Sequence, residues 1–230
     1  MSELIGLLIC LLIFIAFILT LRKCRDGLIS IGQWPSFTSI LGRDAHDKHP
    51  ICVTGGRCYP VVKTMERQKT AATLLDSIND FCTEFLRHLR EKYVFNKLGN
   101  TRQTQVVERL LRNFNPDTLV ENNPIDLVNT SFVDDKGVVF ALCLRKKTES
   151  DNVFHSIDEL KFVAMHEITH MATIANDHPP EFWENFKFLL KEAAESGMYT
   201  PVDYAKYPVT YCTGLEVTYN PYFCRNTANI

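Results

Sequence analysis

The sequence predicts an α+β domain carried behind a hydrophobic membrane helix, and three observations lead there. Residues 4–21 form an apolar run without a charge. Several later stretches repeat apolar residues at helical spacing, and between 129 and 145 the period falls to two. A chain of 230 residues with 46% hydrophobic and 23% charged content is globular, which excludes wholesale disorder, collagen and a disulfide mini-scaffold. The length suits one core with an appendage rather than two full domains. A formal net charge of −2 excludes a protein held to nucleic acid by phosphate contacts alone.

The appendage comes first. Residues 4–21 read LIGLLICLLIFIAFILTL, a length that spans about 27 Å as a helix, close to the hydrocarbon thickness of a bilayer. A buried core helix would show a polar stripe, and this segment has none. A cleaved signal peptide needs a basic start and a small-residue cleavage site; Met1-Ser2-Glu3 and Thr20-Leu21-Arg22-Lys23 supply neither. The run therefore predicts an uncleaved single-pass anchor. Arg22, Lys23 and Arg25 flank its far side, so the remainder is expected in the cytosol. In that compartment Cys52, Cys58, Cys82, Cys143, Cys212 and Cys224 are expected as free, partly buried thiols, and no CxxC pair suggests a zinc ribbon. The sequon Asn129-Thr130-Ser131 would go unmodified there.

Residues 1–25 thus form anchor and basic flank, residues 26–60 a tether rich in Gly and Pro, and residues 61–230 the folded domain. From Gln68 to Tyr93 apolar residues fall on one helical face, from Ala71, Leu74 and Leu75 to Leu89. A shorter helix covers about Thr104 to Asn113. Residues 129–133 and 138–145 read as strands around the turn Asp134-Asp135-Lys136-Gly137, the second apolar on both faces and so central. Ser156 and Glu159 fit a capping box for a helix bearing Leu160, Val163, Ala164, Ile168 and Met171. Pro179 and Pro180 open a last helix that Gly197 stops, and the tail beyond is irregular.

Within the capped helix stands His166-Glu167-Ile168-Thr169-His170. Residues i and i+4 share a helix face, so both imidazoles reach one cation, and neutral imidazole is a good zinc ligand. Glu167 is offset by about 100° around the axis, so it can sit beside the metal and take a proton from water there. A pair of unrelated histidines beside a stray Glu is the bland alternative, but chance gives this pattern in well under ~1% of chains of this length. A catalytic zinc site keeps three protein ligands. His178 is the preferred third, since Asn176-Asp177 can turn the chain back over the helix; Glu192 and Glu195 are its rivals. Thr173 and Asn176 stand where the metzincin pattern requires Gly and His.

His166-Glu-Ile-Thr-His170 followed by His178-Pro-Pro-Glu-Phe182-Trp183 resembles the HExxH…HxxxF signature of the small WLM and SprT-like zinc metallopeptidases. The strand ending Leu142-Cys-Leu-Arg145, the helix Phe182–Lys191 and the segment Tyr199–Tyr204 are similar to membrane-anchored WLM-like proteins of large nucleocytoplasmic DNA viruses. The likeness runs from about Tyr59 onward. Seven residues separate His170 from His178, where members usually have five. The resemblance implies a zincin-like α+β domain with a small antiparallel or mixed sheet, Zn2+ as cofactor, and hydrolysis of a protein or peptide substrate.

Specific nucleic-acid binding is not expected. Removing residues 1–21 takes away only Glu3 among charged groups and leaves 26 acidic against 25 basic. Arg87, Arg90 and Lys92 form a small basic face of the kind usually just solvated. His155 is expected at the surface, His46 and His49 lack a third ligand, and Tyr211, Tyr219 and Tyr222 read as packing residues, one of which could donate to an oxyanion. The competing class is a catalytically inactive scaffold or binding protein that keeps the same fold.

Overall fold

The computed structural model describes residues 47–124, 130–146, 153–212 and 214–224. The expected membrane span at 4–21 and most of the tether lie outside them. Among the described residues no helix is long and apolar enough to cross a membrane.

The chain enters through a hairpin, β1 (Lys48–Cys52) and β2 (Cys58–Val62), paired antiparallel. The long helix α1 (Gln68–Leu89) follows and runs on into a π-helical turn over Arg90–Phe95. Its predicted face is buried, with Leu74 half-covered at the margin. Helix α2 (Thr101–Asn113) starts on a capping box in which Asn100 and Gln103 satisfy one another's backbone N–H groups. A three-stranded sheet comes next, β3 (Leu119–Glu121), β4 (Phe132–Asp134) and β5 (Val139–Leu142), in the order β3-β5-β4. β5 is central, as its two-faced apolar sequence predicts. It pairs parallel with β3 and antiparallel with β4, so the sheet is mixed.

Helix α3 (Ile157–Ala172) begins on the predicted capping box: Ser156 Oγ accepts from Glu159 N at 3.2 Å, and Glu159 Oε2 accepts from Ser156 N at 2.8 Å. It packs against α1, α2, β4, β5 and the following helix α4 (Pro180–Glu195). Its buried residues therefore run most of the way around it, which weakens the one-sided pattern expected of a surface helix. Gly197, at φ 73°, stops α4 as expected.

Three features differ from the sequence reading. Residues 48–60, assigned to the tether, are a folded hairpin whose Tyr59 and Val61 enter the core. Gly55 and Gly56 belong to its turn, and Pro50 and Pro60 face each other within its strands. The tail holds a second hairpin, β6 (Val209–Tyr211) and β7 (Leu215–Val217). The cysteines differ most. Cys52–Cys58 and Cys143–Cys212 are disulfides, and among the described residues Cys82 and Cys224 stay unpaired. Cys52 and Cys58 face each other across the β1–β2 register, and Cys143 and Cys212 meet 69 residues apart at the ends of β5 and β6.

One buried ion pair joins the periphery to the sheet. Arg145 and Glu121 are both fully buried, with Arg145 Nε donating to Glu121 Oε1 at 2.6 Å. Glu121 Oε2 accepts from Val62 N of β2, Arg145 Nη1 donates to Glu66 O, and the guanidinium lies 4.6 Å from the Phe154 ring centroid. Removing one partner leaves a buried charge uncompensated, which costs about 3–5 kcal/mol. Arg145→Met should lower stability by that amount in urea unfolding, and adding Glu121→Gln should recover part of the loss. A double variant no more stable than Arg145→Met would show that the unpaired charge is not the cause.

Candidate metal centre

Helix α3 and the loop after it bring three imidazoles together. His166 and His170 stand one turn apart on the cleft side of α3, and His178 returns over them from the loop before α4. The ligand-capable nitrogens of the three lie within 4.8 Å of one another, and His166 Nε2 is 3.0 Å from His178 Nε2. Nitrogens around one tetrahedral zinc, at Zn–N of about 2.0–2.1 Å, stand roughly 3.3 Å apart. The donor set therefore fits a zinc ion with small adjustment. Among the described residues it is the cluster of His, Cys, Asp or Glu that could hold a metal.

Local electrostatics keep these rings in the ligating form. Burial, then repulsion from His170 and His178, pushes His166 down to about 3. Burial and His178 push His170 down to about 4, and burial lowers His178. Near neutral pH all three are uncharged and offer lone pairs. Phe182, fully buried, is the apolar floor: its ring centroid lies 4.9, 4.5 and 4.5 Å from those of His166, His170 and His178. Trp183 stacks beyond His178 at 5.7 Å.

Glu167, 5% exposed, borders the same cleft, and among the described residues no cation pairs with it. Burial pushes its carboxyl up to about 8. The cleft measures about 920 Å³ and is walled by β4 on one side and by Trp183, Phe186 and the β6–β7 hairpin on the other. β4 is a sheet edge.

The rival ligands are engaged elsewhere. Glu192 is buried against Lys92 Nζ, at 2.7 and 3.0 Å, and accepts from Tyr93 OH at 2.7 Å. Glu195 is exposed and lies 3.8 Å from the same lysine. Of the three tyrosines, Tyr211 and Tyr219 line the cleft. The Tyr211 hydroxyl is taken up by Cys143 O at 2.6 Å and Ser131 Oγ at 2.7 Å. His155 is buried rather than at the surface: its Nε2 accepts from Cys212 N at 3.1 Å and its Nδ1 is 3.3 Å from Glu159, so it serves packing. His49 contacts Gln68 at 2.9 Å, and His46 lies outside the described residues. On the basic face, Arg87 is paired with Glu84 and Glu91.

Sequence reasoning misses the groups that finish the C-terminal end of α3. A helix leaves its last four carbonyls without intrahelical partners. Here Thr169 O accepts from Thr173 Oγ1, His170 O from Lys136 Nζ, Met171 O from Asn113 Nδ2 and Ala172 O from Arg109 Nε, at 2.8, 3.2, 2.7 and 2.7 Å. The turn tetrad gives Lys136 no distinguishing signal beyond its position, and the two α2 side chains look like ordinary surface polar residues.

No protein-family model matches the chain. Among solved structures it is similar to Wss1 from Saccharomyces cerevisiae, with 18% identity and a TM-score of 0.40 over 60% of this chain and 89% of that one. A Wss1 mutant from S. pombe gives 22% identity and a TM-score of 0.35 over 58% and 93%. "Uncharacterized protein 136R" of Invertebrate iridescent virus 6 is 35% identical over 69 residues, 30% of this chain and 38% of that protein's length. "Uncharacterized protein R325" of Acanthamoeba polyphaga mimivirus is 32% identical over 152 residues, 66% of this chain and 74% of that protein. On the extent of that last match, this chain belongs to the family of the mimivirus protein.

Proposed function

We propose that the chain is a membrane-anchored, zinc-dependent metallopeptidase. The observation that carries this reading is the clustering of three neutral imidazoles around one point beside the buried carboxyl of Glu167. His166, His170 and His178 would hold the ion. Zinc in such a site supplies a Lewis acid that activates water near neutral pH and polarises a carbonyl.

The chain's own groups account for the remaining steps. An extended substrate peptide lies along β4, whose edge offers unpaired N–H and C=O groups, and its side chains enter the aromatic cleft. Glu167 accepts a proton from the attacking water and delivers it to the leaving amine nitrogen. A cation held beside it would favour its ionised form, which suits a base working near pH 7. Phe182 and Phe186 keep water from the far side of the histidines. The second reading, an inactive scaffold, differs at Glu167, because a purely structural metal site needs no base there.

Two arguments bear on the side of the membrane. The basic flank at Arg22, Lys23 and Arg25 favours the cytosol, whereas two disulfides are typical of oxidising compartments. The proposal follows the flank, since charge acts during insertion, before any bridge forms.

Three measurements test these statements. The full-length protein should carry one zinc, His166→Ala or His170→Ala should abolish binding, and His178→Ala should weaken it strongly; a loss with Glu192→Ala but not with His178→Ala would reassign the third ligand. Glu167→Gln should keep zinc content and thermal stability while peptide cleavage, including cleavage within residues 26–46, falls by at least about 10²-fold. Equal cleavage by wild type and Glu167→Gln would sink the mechanism. On intact membranes the domain should be digested by protease added from the cytosolic side and Asn129 should lack glycan; a shielded, glycosylated domain would reverse the topology.

A further inference from the structure

His178 is held in an unusual way for a ligand. Seven residues separate it from His170, and from Ile174 through His178 every residue is exposed. Only the His178 ring packs, against Phe182 and Trp183, so packing does little to fix residues 174–177, and a loop that must be ordered when metal arrives loses backbone entropy. What fixes it comes from across the cleft. Lys136 Nζ donates to His170 O at 3.2 Å, Thr173 O at 2.9 Å and Ala175 O at 3.0 Å. One ammonium thus ties the last turn of α3 to the first residues of the loop. A lysine head carries three hydrogens on one point, which matches three converging carbonyls better than the planar fork of arginine.

The lysine is itself held in place. Asp135 and Lys136 both have left-handed backbone, φ 42° and 56°, where L residues are uncommon. The hairpin tip accepts that geometry because Gly137, at φ 119°, presses on α2: a Cβ there would lie 2.4 Å from Asn113 O. Asn113 in turn donates to Met171 O of α3. The tip, α2 and the end of α3 therefore fix one another, and Lys136 reaches the end of α3 from that tip.

We propose that Lys136 is a positioning residue for the third metal ligand: it preorganises residues 173–178 so that His178 stays over His166 and His170. This rests on the zinc reading above. A plain role in neutralising the helix dipole is the alternative, and it would act on stability without acting through His178.

A double-mutant cycle separates the two. Zinc affinity is measured by chelator competition on the full-length protein in detergent, for wild type, Lys136→Met, His178→Ala and the pair, with thermal unfolding of each zinc-free form alongside. Lys136→Met should weaken zinc binding roughly 10–100-fold, the usual effect of removing a group that orients a ligand. In the His178→Ala background the same change should have an effect within about twofold. An equal loss in both backgrounds, or no loss from Lys136→Met, overturns the proposal while leaving the zinc site standing. A wild-type protein that binds no zinc overturns the metal reading, and this inference with it. If Lys136→Met does not yield folded protein, Lys136→Arg is put through the same cycle and judged by the same comparison.

Discussion

The cleft depends on a helix that is finished at both ends by side chains. Ser156 and Glu159 close the start of α3, and groups from α2, from the β4–β5 turn and from Thr173 accept the task at its end. An uncapped helix end in this crowded interior would bury polar groups without partners, each costing about 1–3 kcal/mol. Because both ends are fixed, the axial position and rotation of α3 are fixed as well. His166 and His170 then point into the cleft as a consequence of helical geometry, and Glu167 falls beside them.

The apolar surroundings do two jobs at once. Phe182 and Phe186 pack the histidines from below, and the same burial disfavours protonation of the rings and ionisation of Glu167. In the proposed reading, a site that keeps imidazoles neutral and a carboxyl near neutrality is poised for cation binding and proton transfer near pH 7. Its chemistry follows from where the aromatic residues sit as much as from the histidines.

What was legible in the sequence was local. The capping box, the i, i+4 histidines and the amphipathic face of α1 are short-range patterns, and each stands in the structure where the spacing puts it. The central place of β5 was legible too, because a strand covered on both faces must be apolar on both. What stayed hidden was set by long-range pairing. β3 is three residues long and owes its existence to β5, about twenty residues on. Glu192 looked like a possible ligand until its partner Lys92, a hundred residues earlier, was in view. His155 looked like a surface residue for the same reason, since Cys212 and the β6 strand that cover it come late in the chain. The disulfide partners obey register and tertiary contact, which composition does not record.

The Cys143–Cys212 bridge turns the part of the chain that carries the histidine cluster into a closed ring. Everything between those residues, including α3, the His178 loop and α4, lies inside it. In the chain-entropy picture a ring of that size restricts the unfolded state by roughly 4 kcal/mol. It also changes what a cut means. A break in the exposed loop before α4 would open the ring without freeing either piece, so a nicked molecule would keep its full mass until reduced.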